Sequence, residues 1–176
     1  MAQDVATLFL RYSHKKLLEQ YWPRLRGAVE PLTDKQLWWR PNEASNSIGN
    51  LVLHLNGNVR QWLVSSFNGH KDERDRPLEF SEREGISAAE LLERLGATLD
   101  EASNVLKRLT ADELVAPMEI QGYHVTGLDA VYQVVEHFGL HYGQILYIVK
   151  MLTGADLKLY RELNAAGRSD LSAAHP

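Results

Sequence analysis

His54 on one predicted helix and the pair His137 and His141 on another supply three imidazole nitrogens, a donor set able to hold one transition metal. The pair lies in Glu136-His137-Phe138-Gly139-Leu140-His141-Tyr142-Gly143-Gln144, and a four-residue separation on a helix brings the two Cβ atoms to within about 5 to 6 Å on one face. Two ligands from one helix and a third from its neighbour leave coordination positions open, as in catalytic rather than closed structural sites. With no cysteine in the chain, any ion here is held by nitrogen and oxygen alone.

The surroundings of these histidines distinguish them from solvated ones. At about 100° per residue, His141 falls about 40° from His137, and Val131, Val134, Phe138, Ile145 and Val149 fill the adjoining arc from about 60° to 120°. Both rings therefore border a buried face, where each polar atom left without a partner costs about 1–3 kcal/mol. A shared cation is one compensation; packing as ordinary core-edge histidines is the competing one. Gln133 and Gln144 flank the pair on the polar side, at a helix edge suited to hydrogen bonding with a ligand ring or a substrate. On the other helix Ser47, Asn50, Asn58 and Gln61 lie within about 40° of His54, so that histidine sits on an uncharged polar stripe, more like a cavity lining than an outer surface. His14 borders the core of the first helix, whereas His70, His124 and His175 fall in expected loops or the tail.

Familiar catalytic signatures are missing. Phe138 follows His137, so there is no H-E-x-x-H with a built-in general base, and no Glu-x-x-His occurs to support a carboxylate-bridged di-iron bundle. Nor is there a G-x-S-x-G, Walker or dinucleotide-binding glycine motif. Glu136 projects about 100° away from His137, and no carboxylate is placed as a base by spacing alone.

Hydrophobic spacing predicts the elements that must position this site. The first helix runs from about Val5 to Ala28 and ends at Glu30-Pro31. Ser47 caps a second, Ile48 to about Phe67, with Leu51, Leu55, Val59 and Trp62 as its apolar stripe. Trp38, Trp39 and Arg40 precede it, as core anchors or as a pocket mouth. Residues 68–85, rich in charge, read as an exposed connection, long enough to cross a bundle and let the next helix run parallel. Ser87-Ala88-Ala89-Glu90 reads as a capping box, backed by an Ile86/Leu91 staple, for a third helix that reaches about Leu109. Residues 117–125 turn at Gln121-Gly122 as a small hairpin, a fourth helix covers about Leu128 to Leu152 and stops at Gly154, and a short helix is expected over Asp156 to Leu163. The expected class is all-α, a four-helix bundle with a long crossover between its second and third helices, in one domain over 1–166 with a flexible tail over 167–176.

Charge and composition bound the function. A net charge of −4 offers no global positive field for nucleic-acid phosphates or anionic lipid, so neither nucleic acid nor membrane is an expected partner. With no secretory-type leader at Met1-Ala2-Gln3-Asp4 and no run of about 18 apolar residues, the expected location is the cytoplasm.

The strings Leu37-Trp38-Trp39-Arg40-Pro41-Asn42-Glu43, Ser47-Ile48-Gly49-Asn50-Leu51-Val52-Leu53-His54-Leu55 and Val135-Glu136-His137-Phe138, with His141 before Gly143-Gln144, resemble an uncharacterised bacterial subfamily of the DinB-like superfamily. The likeness spans roughly residues 8–161. It implies a four-helix bundle whose histidines, here His54, His137 and His141, bind one divalent ion (nickel, zinc or manganese), and a homodimer. It also implies a small-molecule substrate and, in some relatives, a low-molecular-weight thiol such as bacillithiol, mycothiol or glutathione. An open three-histidine ion suits both thiol transfer and hydrolysis. A non-catalytic helical metal-binding or structural module is the alternative.

Overall fold

The computed structural model describes residues 4–159. Helix α1 covers residues 5–29, with α-helical Val5–His14 and Trp22–Val29 joined by a π-helical stretch, Lys15–Tyr21. Asp4 caps it by accepting from the Thr7 N–H at 2.9 Å. A single turn, α2 (Asp34–Leu37), follows the break at Pro31 and is capped by a Thr33/Gln36 box. Helix α3 covers residues 48–68, again with a π-helical stretch, Arg60–Ser65, inside it. Helices α4 (Arg76–Ser81), α5 (Ala88–Arg108) and α6 (Ala111–Val115) come next, and α7 (Gly127–Thr153) closes the described fold.

Between α6 and α7 lies the hairpin, with β1 (Pro117–Ile120) antiparallel to β2 (Tyr123–Thr126) and Pro117 opposite Thr126. Gln121 and Gly122 both have positive φ, 54° and 77°, which is what a two-residue turn of the right twist demands. Most of the structure is helical, with these two strands as the only sheet among the described residues.

Leu17, Leu25, Leu55, Leu63, Leu95, Leu99, Phe138 and Ile145 are fully buried, drawn from α1, α3, α5 and α7, so the apolar stripes of the four long helices share one core. Arg60 of α3 donates to Thr98 and Glu101 of α5, and Arg108 of α5 donates to Phe67 and Asn68 of α3. Residue numbers rise together along the contact, so α3 and α5 run parallel, and the connection between them crosses the molecule. Among the described residues no helix is long and apolar enough to cross a membrane.

Four expectations need correction. The 68–85 connection is not simply exposed: it contains α4, whose Glu79 is buried. The Ser87 capping box forms only in half, because Glu90 turns its carboxylate to Arg94 at 2.5 Å and only Ser87 Oγ accepts, from the Glu90 N–H. Helix α7 begins one residue early, at Gly127, because Thr126 and Asp129 form a capping box of their own. Residues 156–158 are not helical, and the remainder of the expected last helix lies, like the tail over 167–176, outside the described residues.

Candidate metal centre

Ser47 and Asn50 fix the start of α3: Asn50 N–H donates to Ser47 Oγ, and Asn50 Oδ1 accepts from the Ser47 N–H. Trp38 lies flat against this first turn, its ring so close to Gly49 that a Cβ there would sit 2.8 Å from it, and donates its indole N–H to the Ile86 carbonyl at 3.0 Å. Trp38 is therefore a core anchor. Seated this way, α3 directs His54, 4% exposed, at α7.

From α7, His137 and His141 meet it. The ring centroids are 4.9 Å apart for His54 with each of the others and 4.4 Å for His137 with His141, and every pair is edge-on. One ring nitrogen from each of the three lies within 4.8 Å of the other two. The Nε2 atoms of His54 and His137 are 2.8 Å apart. Two imidazole nitrogens bound at about 2.0–2.1 Å to one ion, at a right angle, stand about 3 Å apart, so the separation fits a shared cation.

The outer nitrogens are committed. His54 Nδ1 lies 2.8 Å from Glu79 Oε2 and 3.0 Å from Arg74 Nη2, and the shorter contact to the carboxylate assigns it the proton; His141 Nδ1 donates to Gln144 Oε1 at 2.7 Å. Both histidines are left with an Nε2 lone pair, and in His54 it faces His137. That lone pair can accept a hydrogen bond from His137 Nε2–H or bind a cation in its place. Burial, then the charges of His141, His54, Arg74 and Arg76, lower the His137 pKa to about 4, and burial lowers that of His141 against the opposing Gln144 hydrogen bond. Two of the three rings are thus held neutral, as metal ligation requires.

Glu79 was invisible to sequence reasoning. Burial by itself would raise its pKa, but hydrogen bonds from Arg74 and His54, with their charges, hold the carboxyl below its ordinary value and ionised. Arg74 binds it through two nitrogens, Nε to Oε1 at 2.6 Å and Nη2 to Oε2 at 2.9 Å. The pair passes across Gly57 of α3, where a Cβ would stand 2.0 Å from Glu79 Oε1, so this glycine is what lets the carboxylate reach His54. A carboxylate on the outer nitrogen of a histidine fixes its tautomer and raises its basicity as a ligand. The one signal in the chain was Asp75-Arg76-Pro77, an N-cap with proline in the first turn, which starts a helix where charge suggested a loop.

The polar neighbours divide. Asn50 Nδ2 donates to the carbonyls of Glu79 and Glu82, and its Oδ1 accepts from Arg40, so it ties α4 down. Gln61 accepts from Arg74 at 2.9 Å and also bonds Asp72. Gln144 orients His141, whereas Gln133 is half-buried one turn before His137. Asn58 is buried one turn beyond His54, and its Oδ1 has no protein partner. His14 is bonded to Ser103 instead, at 2.9 Å.

A cleft of about 940 Å³ lies on the far side of Glu79, lined by Leu53, Gly57, Arg60, Arg74 and Leu78 among others, and the three histidines are not in its wall. Arg74 and Glu79, which both lie against His54, also line this space.

A family model described as a protein of unknown function (DUF1572) matches residues 4–162. No curated protein matches the chain. The crystal structure of a conserved protein from Enterococcus faecalis is similar at 15% sequence identity and a TM-score of 0.65, over 88% of this chain and 100% of that one, a likeness of fold alone.

Proposed function

The chain belongs to the DUF1572 family of proteins of unknown function, and from its site we propose that it is a metal-dependent enzyme acting on a small molecule. The observation that carries this is the convergence of three imidazoles with the outer nitrogens of His54 and His141 already occupied by Glu79 and Gln144. His54, His137 and His141 would hold one divalent ion, and the ion would supply Lewis acidity, lowering the pKa of a bound water or thiol. The fold is that of a DinB-like four-helix bundle, formed by α1, α3, α5 and α7.

Thiol transfer is favoured over hydrolysis by one feature. The carboxylate closest in role to a general base, Glu79, is already engaged by Arg74 and His54, so this chain offers no free base there. A thiol, with an ordinary pKa near about 8.5, needs only a lowered pKa to become a nucleophile. Adding bacillithiol or glutathione to cobalt-substituted protein should produce a sulfur-to-metal charge-transfer band that strengthens as pH rises through the bound thiol's pKa. No band with any low-molecular-weight thiol, together with turnover of an ester or amide, would transfer the proposal to hydrolysis. No band and no turnover would support the non-catalytic module.

A homodimer is the proposed assembly, supported by the large apolar groups that α1 and α7 leave exposed, Val5, Leu8 and Tyr12 on one and Tyr132, Tyr147 and Met151 on the other. Sedimentation would then give twice the chain mass.

A further inference from the structure

We infer that the ligand of this centre is a small organic oxyanion, a carboxylate or phosphate, anchored by Arg76. Helix α4 contributes more than Glu79. Arg76 and Phe80 are four residues apart on it, and the Arg76 guanidinium lies 5.1 Å from the centroid of the Phe80 ring. Phe80 in turn packs on His54, ring centroids 4.8 Å apart. Stacking thus holds an exposed guanidinium on the far face of the residue that packs on His54.

Charge accounting gives the sign of the ligand. Three neutral imidazoles cancel none of a divalent ion's charge, and Glu79 is matched by Arg74. No carboxylate joins the three imidazoles in the converging donor group among the described residues, so a divalent ion there would have no anionic protein ligand. No ion pair among the described residues involves Arg76, which leaves its planar fork available for two parallel hydrogen bonds to an oxyanion. A bound thiolate or hydroxide would cancel one of the ion's two positive charges, and an oxyanion reaching from Arg76 towards the ion would answer the remaining one together with that of Arg76.

Because this rests on the metal centre proposed above, the experiment separates the two. Cobalt-loaded wild type, Arg76→Gln and Arg76→Lys are titrated with acetate and with methylphosphonate, and binding is followed in the visible spectrum of the cobalt. Imidazole, a neutral ligand for the same ion, is titrated in parallel. Arg76 is exposed, so Arg76→Gln should fold and take up cobalt as the wild type does. The expected result is a dissociation constant for both anions raised about tenfold or more in Arg76→Gln, partly restored in Arg76→Lys, with imidazole unchanged. Equal anion affinity in wild type and Arg76→Gln would overturn the role of Arg76 and leave the metal centre standing. A weakening of imidazole as large as that of the anions would do the same, since it would mark a general disturbance of the ion. Failure of the wild type to bind cobalt would overturn both.

Discussion

Glu79 decides which nitrogen His54 presents to the centre, although it contributes nothing to the converging donor set itself. Replacing it by Gln keeps the shape and an acceptor but removes the charge and leaves Arg74 unpaired. Metal affinity of Glu79→Gln should fall about 10–100-fold, measured by competition with a chelator of known affinity. Gly57→Ala should reproduce that loss from a distance, because the new methyl occupies the place of Glu79 Oε1, and should cost about 1–3 kcal/mol of stability by overpacking. Normal metal affinity in both variants would remove Glu79 from the account. A second expectation concerns pH. His137 moves from 6.5 to about 4 on folding, so between those values the unfolded chain binds the extra proton. With chelator present, His137 costs folding nothing above about 6.5 and a growing penalty as pH falls towards about 4, with His141 acting in the same direction. Denaturant midpoints that stay flat from pH 7 to 4.5 would contradict it. At this scale His137, His141 and Gln144 were legible, because helical spacing alone places them on one face of α7, whereas His54 on α3 was marked by the polar stripe around it and by the resemblance. Glu79 and Arg74 were not, since they lie 25 and 20 residues from His54 and are brought back only by the course of the connection.

That connection is the element on which the site depends. Helix α4 has only 6 residues and cannot be stable alone; it is held by Asn50 bonding two of its carbonyls and by Arg40 reaching the carbonyl of Glu82 at 3.1 Å. Removing the Asn50 amide leaves the Glu79 carbonyl and the Ser47 N–H without their partner, so Asn50→Ala should destabilise the protein by about 1–3 kcal/mol. Its amide exchange should rise first in residues 76–82, ahead of the cores of α3 and α7. Uniform exchange across the whole chain would show instead that α4 has no independent opening. Periodicity located the four long helices, since their apolar stripes and caps are local signals. It did not locate α4, whose helix is specified by contacts with α3 rather than by a stripe of its own. The π-helical stretches Lys15–Tyr21 and Arg60–Ser65 were equally hidden, because one extra residue in a turn leaves no mark in an amphipathic pattern this short.

For the molecule as a whole, the parallel run of α3 and α5 follows from the length of the connection, which was legible, while its place behind His54, with Glu79 and Arg74 on the outer nitrogen, was not. The core draws on α1, α3, α5 and α7 together, so the histidines are held between packed helices rather than on a mobile loop, as a pre-organised centre requires. What the whole account stands on is a bound ion. Elemental analysis of protein purified without an affinity resin should give about one divalent transition metal per chain in the wild type and in His14→Ala, whose histidine is bonded to Ser103 instead. His54→Ala, His137→Ala and His141→Ala should each lose most of it, since two remaining ligands do not make a site. Full occupancy in His137→Ala, or a wild type that binds no ion at any loading, would contradict the metal centre.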